Sequence, residues 1–128
     1  MRLLLDTHAL LWTVTGDSKL SSKADDALHD PASEIFVSAA SVWEVTTKFR
    51  LGKLPEAEGL IEDFAESLQR LGFLEQPISI EHAQRAGLLP GSHRDPFDRL
   101  LIAQAQAENL VLVSNERIFD AYGVRRLW

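Results

Sequence analysis

Short apolar runs along the chain alternate with segments in which apolar residues recur every three or four positions. The runs at 3–5, 35–37 and 110–113 lack polar alternation, which is typical of strands buried on both faces of a parallel sheet. A short strand is predicted within 73–78, where Pro77 suits a sheet edge, and a last strand within 124–127.

Helices are predicted between these strands, and polar residues and glycines indicate where they begin and end. The predicted spans are 7–14, 20–28, 39–49, 60–71, 79–86 and 95–107. Ser38, Ser79 and Asp95 stand at N-cap positions, and Gly72 follows the end of the clearest amphipathic helix. Alternating strands and helices predict an α/β fold with a mostly parallel central sheet and helices on both faces, in a single domain over 1–128.

Composition narrows the class of protein. The 128 residues are 45% hydrophobic and 25% charged, which is sufficient to bury a core without cross-links. The chain has no cysteine, so disulfide frameworks and cysteine nucleophiles are excluded. No apolar run is long enough to cross a membrane or act as a signal peptide, and we therefore expect a soluble, cytoplasmic protein.

The charge balance is acidic. The chain carries 13 Lys and Arg against 19 Asp and Glu, a net charge of −6. This balance argues against a protein that holds nucleic acid by a general basic field, because non-specific phosphate binding relies on Lys and Arg. Solubility is one reason for excess acid. The other is that some of the carboxylates lie together and hold a metal ion.

Three acids follow a predicted strand or lie in the first turn of a predicted helix, and a fourth, Glu44, lies one to two turns into its helix. In parallel sheets the functional crevice lies beyond the carboxyl ends of the strands. Asp6 directly follows the first strand, Glu116 lies three residues after the 110–113 strand, and Glu44 and Asp98 lie on helices. Converging carboxylates cannot all stay ionised unless a cation neutralises them or a proton is taken up, and Mg²⁺ or Mn²⁺ prefers oxygen ligands. Such an ion lowers the pKa of bound water and stabilises phosphoryl displacement.

Each acid also has an ordinary structural explanation. Asp6 suits the N-cap of the helix that follows it, and Glu44 suits an ion pair with Lys48 one helical turn later. Asp98 is favoured in a first helical turn by the helix dipole, and Glu116 suits a solvated turn. The argument for a metal site therefore depends on the joint placement of the acids.

Other polar and aromatic residues have both a functional and a structural interpretation. The four histidines show no metal-ligand spacing, so we expect surface or packing roles and only His8 near the crevice. Trp43 and Phe97 suit base stacking, but an aromatic residue in an otherwise apolar helix more often belongs to the core, so we expect core positions. Lys48 and Arg99 suit phosphate contacts or solvated helix ends.

Several segments match a known family in order along the whole chain. The segments LLDTHALLW at 4–12, SAASVWE at 38–44 and HRDPFDRLLIAQA at 93–105, with the tail at 113–124, resemble the successive motifs of PIN-domain proteins of the VapC-like toxin group. The resemblance implies a PIN-like three-layer fold and an endoribonuclease that uses Mg²⁺ or Mn²⁺ to hydrolyse phosphodiester bonds in RNA. It also implies a cognate antitoxin and a homodimer.

The resemblance assigns roles to individual residues. Asp6, Glu44 and Asp98 fall on the family's acidic positions, and Glu116 stands at a fourth position that usually carries aspartate. The longer glutamate side chain leaves open whether the site takes one metal ion or two.

Two further residues support the site in this interpretation. Thr7 matches a hydroxyl position near the metal and is expected to hold Asp6 in place, and Asp95 is assigned to capping or support of the site.

A catalytically inactive PIN-like interaction module is the alternative function. A phosphoacceptor domain is disfavoured because no second acid stands beside Asp6 and no lysine follows Lys53.

Overall fold

Five strands form a single parallel sheet in the computed structural model of the chain, which describes residues 1–128. The strands are β1 (Arg2–Leu5), β2 (Glu34–Ser38), β3 (Leu74–Gln76), β4 (Val111–Val113) and β5 (Arg126–Leu127). Their order across the sheet is β3-β2-β1-β4-β5, and every neighbouring pair is parallel. The predicted α/β class and parallel sheet are confirmed, with β1 at the centre.

Seven α-helices connect and cover the strands. They are α1 (Thr7–Thr15), α2 (Ser22–His29), α3 (Ala39–Arg50), α4 (Glu58–Ile61), α5 (Phe64–Leu71), α6 (Ile80–Leu88) and α7 (Pro96–Glu108). Two 3-10 turns, Pro55–Ala57 and Arg117–Tyr122, complete the fold. None of these helices combines the length and the hydrophobicity that a membrane crossing requires.

The central strand β1 explains the three layers. Its side chains alternate between the two faces of the sheet: Leu3 and Leu5 pack in one core with residues of α1, α2 and α5, whereas Leu4 packs in another with residues of α7. All three leucines are fully buried. Helices therefore cover both faces, as the absence of polar alternation in this strand predicts.

The continuous helix predicted over 60–71 is wrong. Asp63 has an extended backbone, and its side chain accepts a hydrogen bond from the Glu66 N–H at 3.0 Å. It thereby acts as the N-cap of a new helix and separates α4 from α5. The apolar spacing continues across this break because α4 buries Leu60 and α5 buries Leu68.

The predicted helix ends are otherwise close to the structure. Ser38, Ser79 and Asp95 each accept a hydrogen bond from a backbone N–H in the first turn of the helix that follows. Gly72 ends α5 in the left-handed conformation, and α6 extends two residues beyond the predicted end. These caps set where α3, α6 and α7 begin, and therefore which side chains point toward the carboxyl edge of the sheet.

The loop at 89–95 joins α6 to α7 and passes close to the second 3-10 turn. Gly91 in this loop has φ +94°, and a Cβ built there would lie 2.8 Å from the Tyr122 hydroxyl oxygen. Both the positive φ and the close approach require glycine. A side chain at this position would therefore collide with Tyr122 unless the tyrosine ring or the loop moved.

We predict that Gly91→Ala destabilises the protein more than Gly16→Ala does. Gly16 also has a positive φ, +67°, but a Cβ there meets no atom within 4 Å. Its replacement should cost about 1–2 kcal/mol for backbone strain alone, whereas Gly91→Ala should cost at least ~1 kcal/mol more because the tyrosine ring must move. Urea unfolding measures both, and equal losses would contradict the proposed contact.

Candidate active site

The carboxyl ends of the three central strands place several polar residues at one edge of the sheet. Leu5 pairs with Val37 of β2 and with Val113 of β4. The next residue, Asp6, continues this pairing because its backbone N–H donates to the Val113 carbonyl at 3.1 Å. Asp6 therefore lies between the ends of two neighbouring strands, where parallel sheets form their crevice.

Asp6 is a buried carboxylate with one hydrogen-bond partner in the first turn of α1 and another just after β4. Its Oδ1 accepts from the Ala9 N–H at 2.7 Å, so Asp6 caps α1, and the Ser114 side chain is its second partner. Burial nevertheless raises the pKa of Asp6 to about 6, and the charge of Glu116 contributes to the increase. The capping explanation is confirmed, and the same side chain faces the crevice.

Glu44 is held from two sides on α3. The Thr7 hydroxyl donates to Glu44 Oε1 at 2.6 Å and lies 3.2 Å from the Ser41 hydroxyl. The Lys48 ammonium donates to Glu44 Oε2. The ordinary explanation of Glu44 as the partner of Lys48 is therefore confirmed. Thr7 contacts Glu44 rather than Asp6, because its side chain points from the start of α1 toward α3, so the expected role of Thr7 is corrected.

Asp98 lies in the first turn of α7 and pairs with a histidine. Its Oδ2 is 2.8 Å from His93 Nε2. Burial raises the pKa of Asp98 to about 6; the His93 bond opposes this, and the negative charges of Asp95 and Glu116 add to it. Asp95 itself caps the helix, accepting from the N–H groups of Phe97 and Asp98 at 2.9 and 3.1 Å.

Glu116 lies near enough to Asp6 and Asp98 for its charge to act on both. Its carboxylate is 40% exposed and lies 3.6 Å from His8 Nδ1, and its charge raises the pKa of both aspartates. The backbone N–H of Glu116 donates to the Ser114 hydroxyl at 3.0 Å. A bond between the backbone and a buried serine thus fixes the start of this turn at the end of β4.

The four acids share one edge of the sheet, yet each carboxylate has its own partner. No group of three or more Asp, Glu or His side chains lies close enough together to hold one metal ion. The donor set still suits Mg²⁺ or Mn²⁺ chemically, because it consists of oxygen atoms and because two of the carboxylates have pKa values raised by burial. A divalent cation would lower these pKa values again and would compete with Lys48 and His93 for the carboxylates.

Two residues have roles that the sequence interpretation missed. His93 lies in the site, so His8 is not the only histidine near the crevice. The one signal in the sequence for this role is that His93 stands five residues before Asp98. Arg99 is not a solvated helix end. Its guanidinium donates to three backbone carbonyls, those of Ala86, Leu89 and His93, at 3.0, 2.6 and 2.9 Å. This clamp fixes the 89–95 loop against α7.

An aromatic pair borders the acids. Trp43 and Phe97 meet edge to face, with ring centroids 5.1 Å apart and an interplanar angle of 77°. Trp43 is 60% exposed, so the expectation that it belongs to the core is wrong. Trp43 precedes Glu44 and Phe97 precedes Asp98, which places this pair where α3 meets α7.

Comparison with known proteins identifies similar sequences and folds. A family model described as PIN domain matches residues 3–124. Ribonuclease VapC16 of Mycobacterium tuberculosis (strain ATCC 25618 / H37Rv) is 37% identical over 59 residues, which are 46% of this chain and 40% of that protein. The matched segment therefore covers less than half of that curated relative.

Solved structures resemble the chain over nearly its whole length. The DNA-bound VapBC structure from Salmonella typhimurium has a TM-score of 0.69 at 17% identity, with 98% of this chain and 96% of that chain covered. VapBC2 from Rickettsia felis, bound to a promoter DNA fragment, has a TM-score of 0.66 at 19% identity, with 98% and 97% covered. Sequence identities this low show only that the folds are similar.

We predict that Asp6→Asn stabilises the metal-free protein at alkaline pH. Asparagine retains an oxygen for the Ala9 N–H and removes a buried charge, which should gain about 2–3 kcal/mol at pH 8. Because the folded pKa of about 6 exceeds the ordinary aspartate value of 3.8, the wild type gains stability as pH falls from above 6 toward 4. The advantage of the variant should therefore shrink over that range.

Urea unfolding in the presence of a chelator at pH 8 and pH 5 measures this difference. Asp63→Asn is the matched control, because Asp63 is also an N-cap aspartate but is exposed, and it should show little change at either pH. A variant less stable than wild type at pH 8, or one whose advantage does not vary with pH, would contradict the charge-burial account.

Proposed function

The chain belongs to the PIN domain family, and from this premise we propose that it is a metal-dependent endoribonuclease that hydrolyses phosphodiester bonds in RNA. The observation that carries the proposal is the presence of four acids along the carboxyl edge of the sheet, with burial raising the pKa of Asp6 and of Asp98 to about 6. Negative charge concentrated in this way favours a bound divalent cation.

In this proposal Asp6, Glu44 and Asp98 hold Mg²⁺ or Mn²⁺, and Glu116 assists from the partly exposed side of the crevice. When bound, the ion supplies a water nucleophile of lowered pKa and stabilises charge on the phosphate. It also supplies the positive charge that an acidic chain lacks for an anionic substrate.

The surrounding residues hold these carboxylates in position. The Ala9 N–H and the Ser114 side chain orient Asp6, and the Thr7 hydroxyl orients Glu44. Asp95 begins the helix that carries Asp98, and the Arg99 clamp keeps the preceding loop in place. Such supporting contacts determine how closely carboxylates approach the geometry that an ion requires.

We predict that the purified protein cuts RNA in the presence of Mg²⁺ or Mn²⁺ and that Asp6→Asn lowers the rate by more than about 100-fold. Cleavage is followed by gel electrophoresis of labelled RNA, with chelator as a further control. Asp63→Asn should cut as the wild type does, since this cap lies on α5. Equal cutting by wild type and Asp6→Asn would indicate a contaminating ribonuclease and contradict the proposal.

A second candidate is a catalytically inactive PIN-like interaction module. The separate partners of the four carboxylates and the glutamate at position 116 favour it. Calorimetric titration with Mn²⁺ distinguishes the two. Binding that is lost in Asp6→Asn supports the nuclease, and absence of binding in the wild type supports the inactive module.

We further propose that the chain is the toxin of a toxin–antitoxin pair and forms a homodimer in the cytoplasm. Support comes from the family resemblance and from the VapBC structures that share its fold. An antitoxin segment would cover the crevice, with a basic side chain placed among the carboxylates. The acidity of the crevice is complementary to such a segment.

Co-expression with the neighbouring open reading frame tests this partnership. We predict that a small protein co-purifies with the chain and that the complex cuts RNA more slowly than the free chain. The Asp6→Asn variant, which is expected to be inactive, allows the chain alone to be expressed and its binding of the small protein to be measured. Failure to co-purify would contradict the toxin assignment and leave the nuclease assignment intact.

A further inference from the structure

Lys48 places a positive charge directly at the mouth of the proposed metal site. It lies one helical turn after Glu44 and donates to the Glu44 Oε2. The Glu44 side chain is only 9% exposed, whereas that of Lys48 is 40% exposed. The ammonium therefore stands between a buried carboxylate and solvent.

This contact differs from an ordinary ion pair on the surface of a helix. An exposed pair with this spacing joins two solvated side chains and contributes little. Here the other oxygen of Glu44 is held by the Thr7 hydroxyl at 2.6 Å, so the carboxylate is fixed on both sides. The charges of Asp95 and Asp98 also act on the Lys48 ammonium. Lys48 thus faces acids of both α3 and α7.

An ion bound by Glu44 and Asp98 would be positioned close to this ammonium. The ion and the ammonium would repel each other, and the low dielectric near a buried carboxylate strengthens such repulsion. The ammonium is carried on a flexible four-carbon stem with three donors. It can therefore leave Glu44 and still remain at the mouth of the crevice, where the phosphate of a substrate arrives.

We propose that Lys48 is a substrate-binding residue that neutralises Glu44 in the free protein and binds an RNA backbone phosphate when a divalent ion occupies the site. This inference rests on the proposed nuclease function and specifies one contact of its substrate. In the free protein Lys48 competes with the ion, and in the complex it binds the substrate. Its removal therefore has opposite effects on the two affinities.

The test compares Lys48→Met, which keeps the length of the side chain without the charge, with Lys48→Arg, which keeps the charge. Lys23→Met is the matched control, because Lys23 is exposed on α2. Calorimetric titration with MnCl₂ in the absence of RNA gives the ion affinity. The salt dependence of kcat/KM on labelled RNA gives the number of phosphate contacts.

We expect Lys48→Met to bind Mn²⁺ several-fold more tightly than wild type and to have a kcat/KM about tenfold lower, through a raised KM. The slope of log kcat/KM against log salt should fall in magnitude by about 0.7, the value for one contact to a single strand. Lys48→Arg should restore the slope, and Lys23→Met should match wild type in both measurements.

Two results overturn the inference in distinguishable ways. If the wild type binds Mn²⁺ and cuts RNA but Lys48→Met leaves the Mn²⁺ affinity and the salt slope unchanged, Lys48 is only a structural ion pair. If the wild type neither binds Mn²⁺ nor cuts RNA, the proposed function fails and this inference fails with it. Circular dichroism checks that each variant is folded, and Lys48→Gln replaces Lys48→Met if the latter does not fold.

Discussion

The pairing of β1 with a parallel strand on each side determines where the polar chemistry of this protein lies. Because β2 and β4 flank β1 in register, the residue after Leu5 emerges at the middle of the sheet and is buried there. The hydrogen bond from the Asp6 backbone to the Val113 carbonyl extends the ladder by one residue. The Asp6 carboxylate is thereby held in a position with little solvent, where groups of α1 and of the segment after β4 donate hydrogen bonds to it.

Burial of charge is the common energetic feature of the site. The pKa values of Asp6 and Asp98 are raised mainly by burial, which means that their ionised forms destabilise the fold at neutral pH. The partners of the acids limit this cost: hydroxyl groups at Asp6 and Glu44, an ammonium at Glu44 and histidines at Asp98 and Glu116. Each acid in the structure has its own hydrogen-bond or ion-pair partner, and the oxygen donors of the site suit a divalent ion.

Local signals in the chain predicted the strands and helices well because the interactions that begin and end these elements are short in range along the chain. Unbroken apolar runs indicate buried parallel strands, and the caps Ser38, Ser79 and Asp95 act within their own first turns. The break between α4 and α5 was missed although Asp63 is also a local signal, because the apolar spacing continues through it. Arg99 was missed for another reason: its three carbonyl partners lie 6 to 13 residues away.

The sequence alone determined the alternation of strands and helices, the capping residues and the acids at or near the ends of strands, since these depend on side-chain periodicity and on hydrogen bonds within a few residues. Tertiary structure decided which partner each acid contacts. Thr7 binds Glu44 across 37 positions, and His93 reaches Asp98 only because the 89–95 loop is clamped to α7. Such contacts depend on how whole elements pack, and periodicity along the chain carries no information about distances between elements.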